Sequence, residues 1–200
     1  ALADCAPAGA DKYGKLDLGA ICESTDYINL MTYDMHVAGE NITNHQAPLY
    51  APEGENSVDA AVHAYLDAGC DPQQMSLGVP FYAREFDSVP VGDDADLPGL
   101  YQTHTGPSQQ TCLTNTDACV PPYRVIQTMT GFKTYWDQDA QASYAYNEDT
   151  GKFLSYDTVD SLKNKMAWAK ELNLGGVFFW ALQQDSDNEL LDTLYESIMG

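Results

Sequence analysis

The 200-residue sequence predicts an α/β fold, with strands and helices alternating around a parallel sheet that is either open or part of a (β/α)8 barrel, plus a small α+β insertion. Three observations predict it. Apolar runs with little polar alternation, "YINLMTYDM", "QMSLGVPFYA" and "LGGVFFWAL", read as parallel strands covered on both faces. The segments between them carry apolar residues at helical spacing, bounded by capping residues and glycines. One long stretch, residues 87 to about 153, abandons this pattern for Asp, Gly, Pro, Thr and Tyr.

Taken in order, "LADCAPAG" (2 to 9) reads as a short buried strand ending in a Pro/Gly turn, and "KLDLGAICESTD" (15 to 26) as the helix after it. "YINLMTYDM" (27 to 35) is the next strand, followed by a polar loop through residue 56. Ser57 is placed to cap a helix whose Val58, Val62 and Leu66 recur on one face, and Gly69 sits where a helix ends. "QMSLGVPFYA" (74 to 83) is a third strand. Inside the insertion, "YRVIQTM" and "SYAYN" are short strand or helix candidates. Asp157 can cap a helix presenting Val159, Leu162, Met166 and Ala169, and "LGGVFFWAL" (174 to 182) with "DNELLDTLYESIM" closes the chain as strand and helix.

Thirty acidic against nine basic residues give a net charge of -21, which repels polyanions and excludes nucleic acid and anionic membrane surfaces as partners. A neutral ligand fits that charge. No run approaches the roughly 18 apolar residues of a membrane span. The chain starts at Ala1 without the basic and apolar segments of a signal peptide, so an upstream piece is expected to have been removed or left out. Among five cysteines, Cys112 and Cys119 close a short polar loop and are expected to pair, leaving Cys5, Cys22 and Cys70 without an assigned role. An Asn41-Ile42-Thr43 sequon permits an extracellular setting. The histidines (36, 45, 63, 104) are scattered, no C-x-x-C occurs, and neither a metal nor a cofactor is expected. There is no G-x-G-x-x-G, P-loop or G-x-S-x-G.

In an α/β barrel, chemistry gathers at the carboxyl ends of the strands, which here read "MTYDMH", "PFYAREF" and "FFWALQQD". Aromatic and polar side chains of this kind can stack on a sugar ring and bond its hydroxyls. From the residues alone, Met31, Tyr33 and Trp180 could be core, Asp34 a loop cap, Arg84 an ordinary ion-pair partner, and Trp136 either insertion core or an outer subsite.

Together and in this order, these strand ends resemble the glycoside hydrolase family 18 chitinases. "LADCAPAG" resembles the family's fifth strand, "INLMTYD" the sixth, "LGVPFYAR" the seventh and "LGGVFFWAL" the eighth, while "TNHQAPLY" (43 to 50) resembles the loop after the sixth. The resemblance implies units 5 to 8 of a (β/α)8 TIM barrel, with 1-86 as units 5 to 7, 87-153 as an α+β insertion domain, and 154-200 as strand 8 with its flanking helices. It implies secretion and a chitin or chitooligosaccharide ligand. Tyr33 would bond the N-acetyl carbonyl, and Asp34 would stand beside the catalytic acid. Met31 would line the pocket, Trp180 would be the floor under the sugar at the scissile bond, and Tyr82 and Arg84 would line the neighbouring subsites.

The family's acid is the Glu of D-x-x-D-x-D-x-E on the fourth strand, which this sequence does not contain. Asp185, Asp187 and Glu189 have polar spacers and sit where a helix begins, so they are expected to cap rather than catalyse. Alone, the chain is expected to be inactive and to need the missing half-barrel, or self-association, to cover its bare edge strands. A non-catalytic chitin-binding module is the alternative.

Overall fold

The computed structural model describes residues 3–37, 40–104 and 120–200. The first strand, β1 (Ala3–Pro7), leads through the short helix α1 (Ala10–Tyr13) into α2 (Leu18–Ser24). Asp17 begins α2 by accepting a bond from the Ala20 amide, so the helix is shorter than its apolar pattern suggested. β2 (Tyr27–Met31) follows, then a long loop, then α3 (Val58–Asp67). As expected, the Ser57 side chain caps α3 through the Ala60 amide, and Gly69 turns the chain with a φ of 92°. β3 (Met75–Pro80) leads directly into β4 (Arg84–Phe86).

The region after β4 forms α4 (Tyr123–Ile126) and the strands β5 (Lys133–Asp137), β6 (Ala142–Asn147) and β7 (Lys152–Ser155). The "YRVIQTM" ambiguity resolves to helix and "SYAYN" to strand. The chain returns through α5 (Val159–Glu171) and β8 (Gly176–Trp180) to α6 (Glu189–Met199). Asp157 does not cap α5. Thr158 does, in a reciprocal capping box with Ser161, while Asp157 takes a salt bridge from Lys165 instead.

Two sheets result. The first is parallel in the order β1-β2-β3-β8 and the second antiparallel in the order β4-β7-β6-β5. The second opens at Arg84 and closes at Ser155, slightly outside the 87-153 stretch. Alternation along the parallel strands separates two faces. Ile28, Leu30, Leu77 and Val79 point into the core beneath the helices and are fully buried. On the opposite face Met31 and Phe178 stay partly accessible, and Trp180 is 60 % exposed.

Two of the cysteines left without a role gain one. Cys22, in α2, and Cys70, after α3, form a disulfide with their Cα atoms 5.3 Å apart, so they are not spare thiols. Cys112 and Cys119 lie outside the described residues. Among the described residues, no helix is long and apolar enough to cross a membrane.

Candidate active site

The site is assembled from residues immediately past the ends of β2 and β3. After Met31 the β2 chain folds tightly, with the Thr32 amide donating to the Leu30 carbonyl and the Tyr33 amide to the Met31 carbonyl. The Thr32 hydroxyl donates to the Gly78 carbonyl at 2.6 Å, pinning this bend to β3. Asp34 then takes a left-handed backbone, φ 60°, a region that Asp enters more readily than most residues. This bend aims its carboxylate across the sheet.

Three donors meet that carboxylate. The Tyr82 hydroxyl donates to Asp34 Oδ1 at 2.8 Å, Arg84 Nε donates to the same oxygen at 2.8 Å, and Arg84 Nη2 lies 2.6 Å from Oδ2. The guanidinium also lies over the Tyr82 ring, 5.5 Å from its centroid. Two-point contact fixes the orientation of Asp34 as a single bond could not. Desolvation acts to lower the Arg84 pKa, but the bond and charge of Asp34 outweigh it and raise it.

Tyr33 stands beside this cluster, edge-on to Tyr82 at 6.2 Å and to Phe178 at 6.3 Å. Its hydroxyl makes no hydrogen bond among the described residues. Burial, and then the charge of Asp34, push its pKa up to about 12, so it remains a proton donor. Burial and Asp34 likewise raise Tyr82. Met31, Tyr33 and Asp34 line a cavity of about 160 Å³ together with Pro7, Ala8 and Gly9 from the end of β1 and the charged Asp11 and Lys12 of α1. The arrangement can present a free hydroxyl and a fixed, charge-compensated carboxylate to a neutral polar ligand.

Of the residues singled out in the sequence, the fold thus brings together Met31, Tyr33, Asp34, Tyr82 and Arg84. Trp180 stands apart. It pairs with Pro80 in the β3–β8 register and projects from the rim without lining the cavity. Phe178 was missed, although its signal was present: in "FFW" alternation puts Phe178 and Trp180 on one face, while Phe179 turns away to stack on Phe81 at 4.6 Å. Of the three acids after β8, Asp185 caps as expected and Glu189 is engaged by a tyrosine. The Asp185 carboxylate accepts from the Leu190 and Leu191 amides at the start of α6, and Glu189 accepts from the Tyr123 hydroxyl at 2.7 Å.

Comparison with known proteins gives this geometry its context. Residues 2–185 match the description "Glycosyl hydrolases family 18". The chain belongs to that family. It is 31 % identical over 217 residues to Chitinase B of Serratia marcescens, covering 86 % of this chain and 43 % of that protein. It is 32 % identical over 201 residues to Chitinase A1 of Niallia circulans, covering 94 % of this chain and 28 % of that one. Among solved structures, chitinase ChiA74 from Bacillus thuringiensis superposes with a TM-score of 0.85 at 30 % identity, over 99 % of this chain and 35 % of its own. The chain therefore spans less than half the length of these relatives. The family 18 fold accounts for the parallel sheet as part of a TIM barrel.

Proposed function

We propose that this chain is the substrate-gripping half of a chitinase that cleaves β-1,4-linked N-acetylglucosamine polymers with retention, using the substrate's own acetamido group. The observation that carries the proposal is the Asp34 carboxylate, clamped by Tyr82 and Arg84 beside the unbonded Tyr33 hydroxyl. In this reading Tyr33 donates to the N-acetyl carbonyl and holds it under the anomeric carbon. That carbonyl oxygen forms a bond to the anomeric carbon as the glycosidic bond breaks, and the departing oxygen takes a proton from a carboxylic acid. Water then opens the oxazolinium ion and restores the configuration, in the manner that sets this family apart from two-carboxylate glycosidases. Asp34 supports the acetamido group as positive charge develops, Met31, Tyr82 and Arg84 shape the pocket, and Trp180 stacks on the sugar.

Asp34 is engaged by Arg84, and Asp11, the other carboxylate lining the cavity, stands on the exposed helix α1 rather than at a strand end. The acid is therefore proposed to come from a half-barrel outside these residues, lying against β1 and β8, the two edges of the parallel sheet. The antiparallel sheet would form a separate insertion domain that deepens the cleft. Secretion is proposed as well, because a disulfide such as Cys22–Cys70 persists in oxidising compartments.

A second reading, a chitin-binding lectin-like module, draws on the same observation that Asp34 is charge-paired while Trp180 is open to solvent. Both readings are tested by titrating the 200-residue chain with tri-N-acetylchitotriose and assaying it on a fluorogenic chitobioside. Binding without turnover is expected. Turnover would overturn the placement of the acid elsewhere, and Glu189→Gln would then show whether Glu189 supplies it. Absence of binding would overturn both readings. Turnover that appears on adding the other half-barrel selects the enzyme.

A further inference from the structure

Gln46 lies in the loop after β2, away from the cavity, and is 1 % exposed. Its polar groups nevertheless reach each part of the clamp. The side-chain Nε2 donates to the Tyr82 carbonyl at 2.7 Å and to the Ser155 carbonyl at 3.0 Å. Its backbone amide donates to Ser155 Oγ at 2.7 Å, and its carbonyl accepts from the Met35 amide at 2.9 Å. Met35 follows Asp34, Tyr82 is itself a member of the clamp, and Ser155 is the register partner of Arg84 across the antiparallel sheet.

We infer that Gln46 is the positioning residue of the site, triangulating Asp34, Tyr82 and Arg84 from behind without touching the ligand. Two carbonyls in a buried setting need two donors, and one primary amide supplies both from a single rigid plane. Among the described residues its Oε1 has no partner, so the side chain is held by its donors alone. Residue 46 also holds the Met35 amide, next to the left-handed Asp34, through its main-chain carbonyl, a bond that does not depend on the side chain. Loss of the Gln46 side chain removes the donor that the buried Tyr82 and Ser155 carbonyls share, and so loosens the strand end that carries Tyr82.

The ligand arm of the test rests on the proposed function, but the spectroscopic arm does not. Gln46→Met keeps the length and removes both donors. It is expected to shift the 13Cζ resonance of Tyr82, assigned with Tyr82→Phe, and to weaken tri-N-acetylchitotriose binding about tenfold while the far-ultraviolet circular dichroism is kept. Gln46→Glu turns a carboxylate toward the two carbonyls, and protonation returns one donor. Its affinity relative to wild type, and its Tyr82 resonance, are therefore expected to recover as the pH falls from about 8 to about 5. The neighbouring titratable groups, His45 with Asp137 and Asp34 with Arg84, are common to both proteins and cancel in the ratio.

A folded Gln46→Met with unchanged Tyr82 resonance and affinity would overturn the inference. So would a Gln46→Glu resonance and affinity ratio that ignore pH, which decides the matter if Gln46→Met does not fold. If wild type binds no trisaccharide, the proposed function fails, while the Tyr82 resonance, read without sugar, still decides the role of Gln46.

Discussion

Two carboxylate clusters, built from similar residues, do opposite jobs. Asp157 receives the Lys165 ammonium at 2.7 Å on both oxygens and the Ser161 hydroxyl at 2.9 Å. The side chains of Lys165 and Asp157 are 0 % and 3 % exposed. Asp34 receives Tyr82 and Arg84 at comparable distances, yet 34 % of its side chain is open to solvent. Bond geometry does not separate the two clusters; access does. A desolvated and fully satisfied pair can only hold structure together, whereas one at a cavity rim keeps lone pairs and ring edges available to a ligand.

The largest expected effect comes from breaking the buried pair. Lys165→Ala strands the Asp157 carboxylate and should lower the unfolding free energy by about 3–5 kcal/mol, read from urea titration. Replacing both partners, Asp157→Leu with Lys165→Met, should recover most of that loss, because no buried charge is then left alone. If both variants lose equally, the pair is not the source. At the open face the effect moves from stability to binding. Trp180→Ala should change stability by less than about 0.5 kcal/mol. The same variant should weaken tri-N-acetylchitotriose binding about thirtyfold, or about 2 kcal/mol, by calorimetry. An affinity left unchanged would remove Trp180 from the sugar site.

Strands and helix caps were legible in the sequence because their causes are local. The apolar runs stop where polar strand ends begin, and Ser57 caps the helix that follows it. The clamp was legible only as residue types at strand ends. That Arg84 would choose Asp34, fifty positions away, over adjacent Glu85 depends on the register of β2 against β3 and on Glu85 pairing with Lys152. The same limit explains the cysteines. Short spacing favoured Cys112 with Cys119, but only packing brings α2 against the end of α3 and joins Cys22 to Cys70. The cap expected at Asp157 is instead made by its neighbour Thr158. Lys165, two turns along the helix, took the carboxylate and left the hydroxyl to cap.

A third carboxylate, Asp137, sharpens the comparison through pH. It accepts from His45 Nε2 at 3.1 Å and from the Tyr101 hydroxyl at 3.1 Å, with both ion-pair partners buried. Desolvation acts to raise the Asp137 pKa, but bonds from His45 and the Ala140 and Asp139 amides overcome it and set it at about 2. Burial lowers His45 more than Asp137 raises it, so the imidazole is neutral and donates its Nε2 proton. A folded histidine pKa below the unfolded value of about 6.5 gives stability that is intact above that pH and declines as pH falls below it, when the unfolded chain alone takes the proton. The slope attributable to His45 approaches but does not exceed about 1.4 kcal/mol per pH unit. Asp137 adds a loss only below the unfolded carboxylate range, as pH drops from about 4 toward 2. Urea midpoints between about pH 7 and pH 5 should fall in wild type and flatten in His45→Gln. Equal slopes would show that His45 is protonated in the folded state.

The smallest expected effect on binding belongs to the clamp, and it is the most discriminating. Arg84→Lys keeps the positive charge but replaces a two-point fork with a single ammonium. Because Asp34 is one-third solvated, the change in unfolding free energy should stay below about 1 kcal/mol, in contrast to the buried Asp157 pair. Orientation of the carboxylate should suffer more than its energy, since the Tyr82 hydroxyl alone leaves Asp34 Oδ2 free to swing. Trisaccharide affinity is therefore expected to fall several-fold while the thermal midpoint barely moves. A large drop in thermal midpoint with affinity retained would instead place Arg84 with Lys165, as a residue that holds the fold rather than the ligand.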